Sequence, residues 1–267
     1  MGGAWVSRYL RLFGVQVRAS AAGAMQYRAD FFLSGLIALM WVGVALVPVM
    51  VVFGARNQVA GWSYPEALVV VGLFAFLKAI LDGAVSPSLT AVVEHVRQGT
   101  LDFVLLKPAD AQFLVSTAKL ELWRAVDFLG AAAILGYAFV RLDRWPAPGH
   151  VALTLVLLGV AILVLYSIWI LVVSASFWVV KVDNLSYLFG SLFDAARWPI
   201  TVFRGALRFV FTFVFPLALM TTYPAMALLG NLTPATALLG VLGGVVFAAA
   251  ARLVWLRALG LYTSASS

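Results

Sequence analysis

The sequence predicts an all-α integral membrane protein with six transmembrane helices, and three observations lead there. Of its 267 residues, 64% are hydrophobic and only 11% are charged, whereas soluble domains carry roughly 25% charged residues. Mean hydropathy is +1.03, and several apolar runs reach the ~20 residues that a helix needs to cross ~30 Å of hydrocarbon. No ten-residue alternation of the kind that builds a membrane barrel is present, so the spans are helices.

Taken in order, residues 4–28 (AWVSRYLRLFGVQVRASAAGAMQYR) mix Trp5, Leu10, Leu12, Phe13 and Val17 with Arg8, Arg11, Arg18 and Arg28. That pattern suits a helix lying along the inner headgroups. The apolar stretch behind it is full length and lacks a small-residue cleavage site, so no removable signal peptide is read. Hydropathy places spans at 31–53, 66–87, 115–140, 151–179, 203–222 and 235–257. Connections 54–65, 141–150 and 223–234 are short and rich in Gly, Pro, Asn and Trp, as interface turns are. Residues 184–200 are too short and too polar at their end to span, and Pro199 interrupts them. They read as an interfacial helix leading to the fifth span, with a re-entrant segment as the competing reading.

Six spans put both termini on one side. With the N-terminus inside, the cytoplasmic segments hold Arg8, Arg11, Arg18, Arg28, Arg97, Lys107, Lys181, Arg197, Arg204, Arg208, Arg252 and Arg257, against Arg56, Arg141 and Arg144 outside. The excess of Lys and Arg makes the termini cytoplasmic. With no large soluble domain, low-complexity tract or clear repeat, residues 1–267 read as one membrane domain. Within it, 1–30 is the amphipathic N-terminus, 88–112 the main inner loop and 223–234 an outer region.

Several chemistries are excluded. The chain has no cysteine, hence neither disulfide nor thiolate metal site. Its two histidines, His95 and His150, fall on opposite sides of the bilayer without an H-E-x-x-H pattern, so no metal is expected. No G-x-S-x-G supports hydrolysis inside the membrane. No G-x-x-x-x-G-K-[ST] is present to cradle nucleotide phosphates, so the chain is not itself the motor and binds no cofactor. The net charge of +7 reflects basic inner loops rather than nucleic acid binding.

Intramembrane charge is a functional candidate by default. Lys78 and Asp82 are four apart, and Arg124 lies three from both Glu121 and Asp127, so each pair can meet on one helix face. A proton relay or a polar patch for substrate is the functional reading. Local neutralisation near the inner headgroups is the structural one, favoured because each acid has a basic partner within one turn. Gly240 and Gly244 form a G-x-x-x-G for close helix packing. Pro216 sits inside an apolar run, where it should kink or break the helix.

Residues 92–113 (VVEHVRQGTLDFVLLKPADAQF) interrupt this oil with charge. They predict a solvated helix at 90–98, a break at Gly99, an apolar turn at Leu101–Leu106 and a stop at Pro108. The run LDFVLL, apolar where solvent should be, marks a partner surface.

A basic amphipathic N-terminus, two spans, an inner VRQGTLDFVLLKP, then RWPITVFRGALRFVFTFVFP, TTYPAMALLG and LRALGLYTSASS together resemble the ABC type-2 permease family, in its single-domain six-helix branch. The resemblance covers nearly the full length. It implies that the inner loop is a coupling helix seated on a separate ATP-hydrolysing subunit, with Glu94, His95, Arg97, Gln98, Leu101, Asp102 and Phe103 at the contact. It also implies two permease chains, identical or paralogous, each engaging one ATP-binding subunit that holds ATP and Mg. Short helices before the last span would form an outer gate with Pro216, Tyr223 and Pro224. The function implied is export across a bacterial inner membrane, and the apolar, aromatic-rich spans suit a hydrophobic or amphiphilic substrate. The alternative is an ion-coupled carrier using Asp82 or Asp127 as a proton site.

Overall fold

The computed structural model describes residues 2–26, 28–178 and 183–261. Helix α1 (Gly2–Gln26) precedes α2 (Arg28–Gly54), and a hairpin follows, pairing β1 (Gln58–Val59) with β2 (Trp62–Ser63). Its two turn residues, Ala60 and Gly61, both take positive φ, as the tightest hairpin turn demands. Ser63 then caps α3 (Tyr64–Ile80), its N–H and hydroxyl both donating to Glu66 at 2.9 and 2.8 Å. This reciprocal cap fixes where the helix starts.

A π turn at Leu81–Val85 carries α3 into α4 (Ser86–Arg97). Its cause is Pro87, whose ring would clash with the Gly83 carbonyl in a regular helix. That carbonyl instead accepts the Glu121 N–H at 2.8 Å. The span predicted at 66–87 and the solvated helix predicted at 90–98 are therefore one rod of 34 residues, about 50 Å long at ~1.5 Å per residue, which overshoots a ~30 Å bilayer.

Beyond it lie α5 (Asp102–Leu105), α6 (Ala111–Ser116), α7 (Ala125–Leu142, entered through a 3-10 turn at Leu122–Arg124) and α8 (Pro148–Ala175). The third span thus starts at Leu122, later than the expected residue 115. Asp110 caps α6 separately by accepting from the Phe113 N–H at 3.0 Å. After α8 come α9 (Asp183–Asp194), α10 (Gly205–Phe209, extended by a π turn to Val214), α11 (Tyr223–Leu228) and α12 (Pro234–Gly260). Side chains of Leu68, Leu77, Leu165, Ile170, Met220 and Trp255 are fully buried where α3, α8, α11 and α12 meet.

The bundle has two ends. One carries the hairpin and the connection before α8, tied by Arg144 to Glu66 at 3.6 Å; we term it the connection face. The other, the terminal face, carries α1 and the 98–120 segment: Tyr9 accepts from the Asp110 N–H at 3.0 Å, and Ser20 from the Leu120 N–H at 3.2 Å.

Residues 183–222 depart from expectation. Asp194 pairs with Lys78 at 3.4 Å deep in the bundle, yet Thr201 sits at the connection face, accepting from the Trp62 indole at 2.9 Å and donating to the Ala60 carbonyl at 3.3 Å. The segment expected to lie along the inner surface instead rises through the bundle. Gly205–Val214 and Ala218–Leu228 then form a pair bent by 71°. Leu219, close below that bend, reaches the side of Gly240 and Gly244 well inside α12, and Gly230 returns to His150 at the connection face. Both ends of this V lie on one face, so it dips in and comes back. In place of a straight span at 203–222, the structure has this bent pair, and the residues before it run from the Asp194 charge cluster to Thr201 at the connection face, with Pro199 breaking that path without stopping it.

This moves Arg204 to the connection face and Arg197 into the bundle, while Lys181 lies outside the described residues. Arg8, Arg11, Arg18, Arg28, Arg97, Lys107, Arg252 and Arg257 remain toward the terminal face, against Arg56, Arg141, Arg144, Arg204 and, one turn along the V, Arg208 opposite. The basic excess is smaller than expected but keeps its sign.

Candidate functional site

The 94–106 segment is built by its own breaks. At Gly99 the backbone turns left-handed, with φ +65, a conformation glycine adopts at little cost. Thr100 then donates its N–H to the His95 carbonyl at 2.9 Å, and its hydroxyl meets His95 Nδ1 at 2.7 Å. This knot turns Leu101 inward, fully buried, while Phe103 and Leu106 stay 69% and 81% exposed. Beside them Glu94, Arg97 and Gln98 form a polar rim, with Gln98 donating to Glu94 at 2.5 Å and Arg97 at 3.9 Å from the same carboxylate.

The base of the segment is held from three sides. From α1, Arg8 donates to the Pro108 carbonyl, Tyr9 meets Phe113 edge-on at 4.7 Å, and Gln16 accepts from the Thr117 hydroxyl. From α12, Arg252 clasps Asp110. From α8, the Tyr166 hydroxyl accepts from Gln112 at 2.9 Å and meets Ser116 at 2.7 Å. Partial burial pushes the Asp110 carboxyl upward. The Arg252 hydrogen bond and charge, with the Phe113 and Gln112 N–H groups, outweigh that and hold it below the usual carboxylate range.

The intramembrane charges gather into one cluster. Arg124 reaches Asp127 at 3.3 Å and, across to the next helix, Asp82 at 3.5 Å. Lys78 lies 3.6 Å from Asp82 and 3.4 Å from Asp194, and Arg197 3.5 Å from Asp194.

A family model described as ABC-2 family transporter protein matches residues 39–266. The chain belongs to the ABC-2 transporter family. No curated protein and no solved structure matches it. As an ABC-2 chain it is a membrane permease component of an ABC transporter, a family that works with an ABC ATP-binding subunit.

Among the residues expected at the ATPase contact, the structure brings Glu94, Arg97, Gln98 and Phe103 to the surface of this ABC-2 chain. His95 and Asp102 are half-buried. Leu101 is corrected: it anchors the loop to its own fold and offers nothing to a partner, and Leu106 takes its place on the surface. Glu121 is corrected too, meeting Lys119 at 3.5 Å and the Trp123 indole at 2.7 Å rather than Arg124. The cluster gains Asp194 and Arg197, which sequence reasoning had left at the inner surface. In the gate group, Pro216 stands at the deep bend of the V, whereas Pro224 lies near the connection face, its carbonyl accepting from Thr154 at 3.3 Å. The support from α1 was legible only as Tyr9, Gln16 and Ser20, spaced to share one helix face.

Proposed function

We propose that this chain is the membrane half of an ATP-driven exporter in a bacterial inner membrane, its termini and the 94–106 segment cytoplasmic. Two such chains, identical or paralogous, would each engage one ATP-binding subunit carrying ATP and Mg. The substrate, hydrophobic or amphiphilic, would pass between them. The observation that carries this reading is the division of labour in LDFVLL. Leu101 is the internal anchor, and Phe103 and Leu106 project from the short helix and its end, while α1, α8 and α12 hold the residues that follow, at Asp110 and Ser116. Apolar knobs within a polar rim are what a specific protein contact uses. At the other face, α11 with Tyr223 and Pro224 would serve as the outer gate, with Pro216 as its deep hinge.

The ion-coupled alternative is weaker, because the Arg124 guanidinium engages both Asp82 and Asp127, so neither stands alone in the bundle as an unpaired carboxyl site. Co-expression with the ATP-binding subunit tests the proposal. Phe103→Asp should insert normally yet lose the subunit on purification, since an unpaired charge in an apolar contact typically costs several kcal/mol. Retained binding and transport in that variant would remove this segment from the coupling role.

A further inference from the structure

The charge cluster floors a cavity of about 470 Å³ between α2, α3, α7 and the 183–202 segment. Its upper walls are apolar, with Trp41, Ala45 and Pro48 from α2 facing Phe74 and Ala75 from α3. Its floor carries three cations, Lys78, Arg124 and Arg197, and three carboxylates, Asp82, Asp127 and Asp194. Asp82 and Arg124 also line a second, polar cleft shared with Thr90, Glu94 and Lys119 toward the terminal face. An apolar chamber and a polar cleft thus meet at one ion pair, which is the shape of an amphiphile's own division.

The ion pairs in this floor are long, 3.3 to 3.6 Å, where charge-assisted hydrogen bonds settle near 2.7–2.9 Å. Two atoms of this floor are buried without a hydrogen bond: a donor, Arg124 Nε, and an acceptor, Asp194 Oδ1, to which Lys78 and Arg197 come no closer than 3.4 and 3.5 Å. Groups of that kind normally find partners. A purely anionic head would face three carboxylates here, and a purely cationic one three cations. From this we infer that the cavity binds a zwitterionic phospholipid with a primary ammonium, its phosphate on Arg124, its ammonium on Asp194, its chains beside Trp41 and Phe74. An ammonium that keeps its N–H groups is required, because a quaternary choline has none to donate to Asp194, and a glycerol head brings hydroxyl donors but no positive charge. The site lies within one chain and does not depend on the ATPase reading.

Native mass spectrometry of the purified full chain in neutral detergent tests this, with dilauroyl lipids bearing ethanolamine, choline or glycerol heads. The ethanolamine lipid should bind about tenfold tighter than either other, a ratio one good charge-assisted hydrogen bond supplies. Ala45→Phe, which fills the chamber and leaves every charge in place, should weaken it about tenfold. Ala249→Phe, on the exposed side of α12, should change nothing. Asp194→Asn should abolish the preference for ethanolamine over choline while binding persists; should it fail to fold, the Ala45 variant still decides. Equal binding of the three lipids by the unaltered chain, or undiminished binding in Ala45→Phe, overturns the assignment.

Discussion

Arg252, near the end of the last helix, clasps Asp110 through both carboxylate oxygens, at 2.6 and 3.4 Å, and with the same guanidinium bonds the Gln112 side-chain oxygen. Gln112 continues to Tyr166 of α8. The residues that follow Phe103 and Leu106 are therefore fastened to two long helices, so on the proposed coupling a push there would have a rigid path into the bundle.

Breaking this clasp should show in stability and in its pH dependence. The two side chains are 40% and 35% exposed, so screening limits the pair to about 1 kcal/mol. Because the folded carboxyl of Asp110 is held low, its contribution is full above the ordinary carboxylate pKa of about 3.9 and is lost as pH falls through the depressed value. Asp110→Asn should melt below the unaltered chain at neutral pH, and the gap should close as the pH is taken through and below ~4. Thermal melts in detergent across that range check it.

Leu101 and Phe103 should part company in a stability measurement. Leu101→Ala empties a fully buried position and should cost about 2–5 kcal/mol. Phe103→Ala alters an exposed one and should stay within about 0.5 kcal/mol for the isolated chain. Chemical denaturation of both variants checks the pair.

Neighbouring glycines of α12 offer a second contrast. A Cβ on Gly244 would overlap Val160 of α8, while one on Gly243 meets nothing within 4 Å. Gly244→Ala should therefore force the two helices apart at about 1–3 kcal/mol. Gly243→Ala should be neutral or stabilising by up to ~1 kcal/mol, as alanine usually is in a helix. Melting temperatures of the two variants measure the difference.

Much of the bundle was readable because its signals are local. The apolar runs behind α2, α8 and α12 fix those spans to within a few residues, and Pro216 marks the bend of the V. The rest depends on partners far along the chain. Asp194, Arg197 and Pro199 give their segment the look of a surface helix, and what holds it in the bundle is distant in sequence: Lys78 meets Asp194, Phe74 packs on Phe193, and Thr221 and Thr222 bond its backbone. Leu101 and Phe103 are equally apolar in sequence, and only the knot at Gly99 and Thr100 decides which turns inward. The coupling of α12 to Asp110 links residues 142 apart, with no periodicity to announce it.

The path of residues 183–204 can be checked directly because the chain contains no cysteine. In intact cells, Arg204→Cys should react with a membrane-impermeant maleimide added outside, and Arg97→Cys should react only after the cells are opened. Protection of position 204 in intact cells would return this segment to the inner surface.

The central claim, that the short helix after Gly99 seats on an ATP-binding subunit, is tested most directly by disulfide crosslinking. Phe103→Cys and Leu106→Cys, placed singly in the cysteine-free chain, should each crosslink under mild oxidation to a cysteine introduced in the surface cleft of a co-expressed ATP-binding subunit. Leu36→Cys, on the exposed apolar side of α2, should not. Crosslinks to the ATP-binding subunit from 103 and 106 alone are the predicted result; their absence, with the subunit still bound and transport intact, would contradict the account.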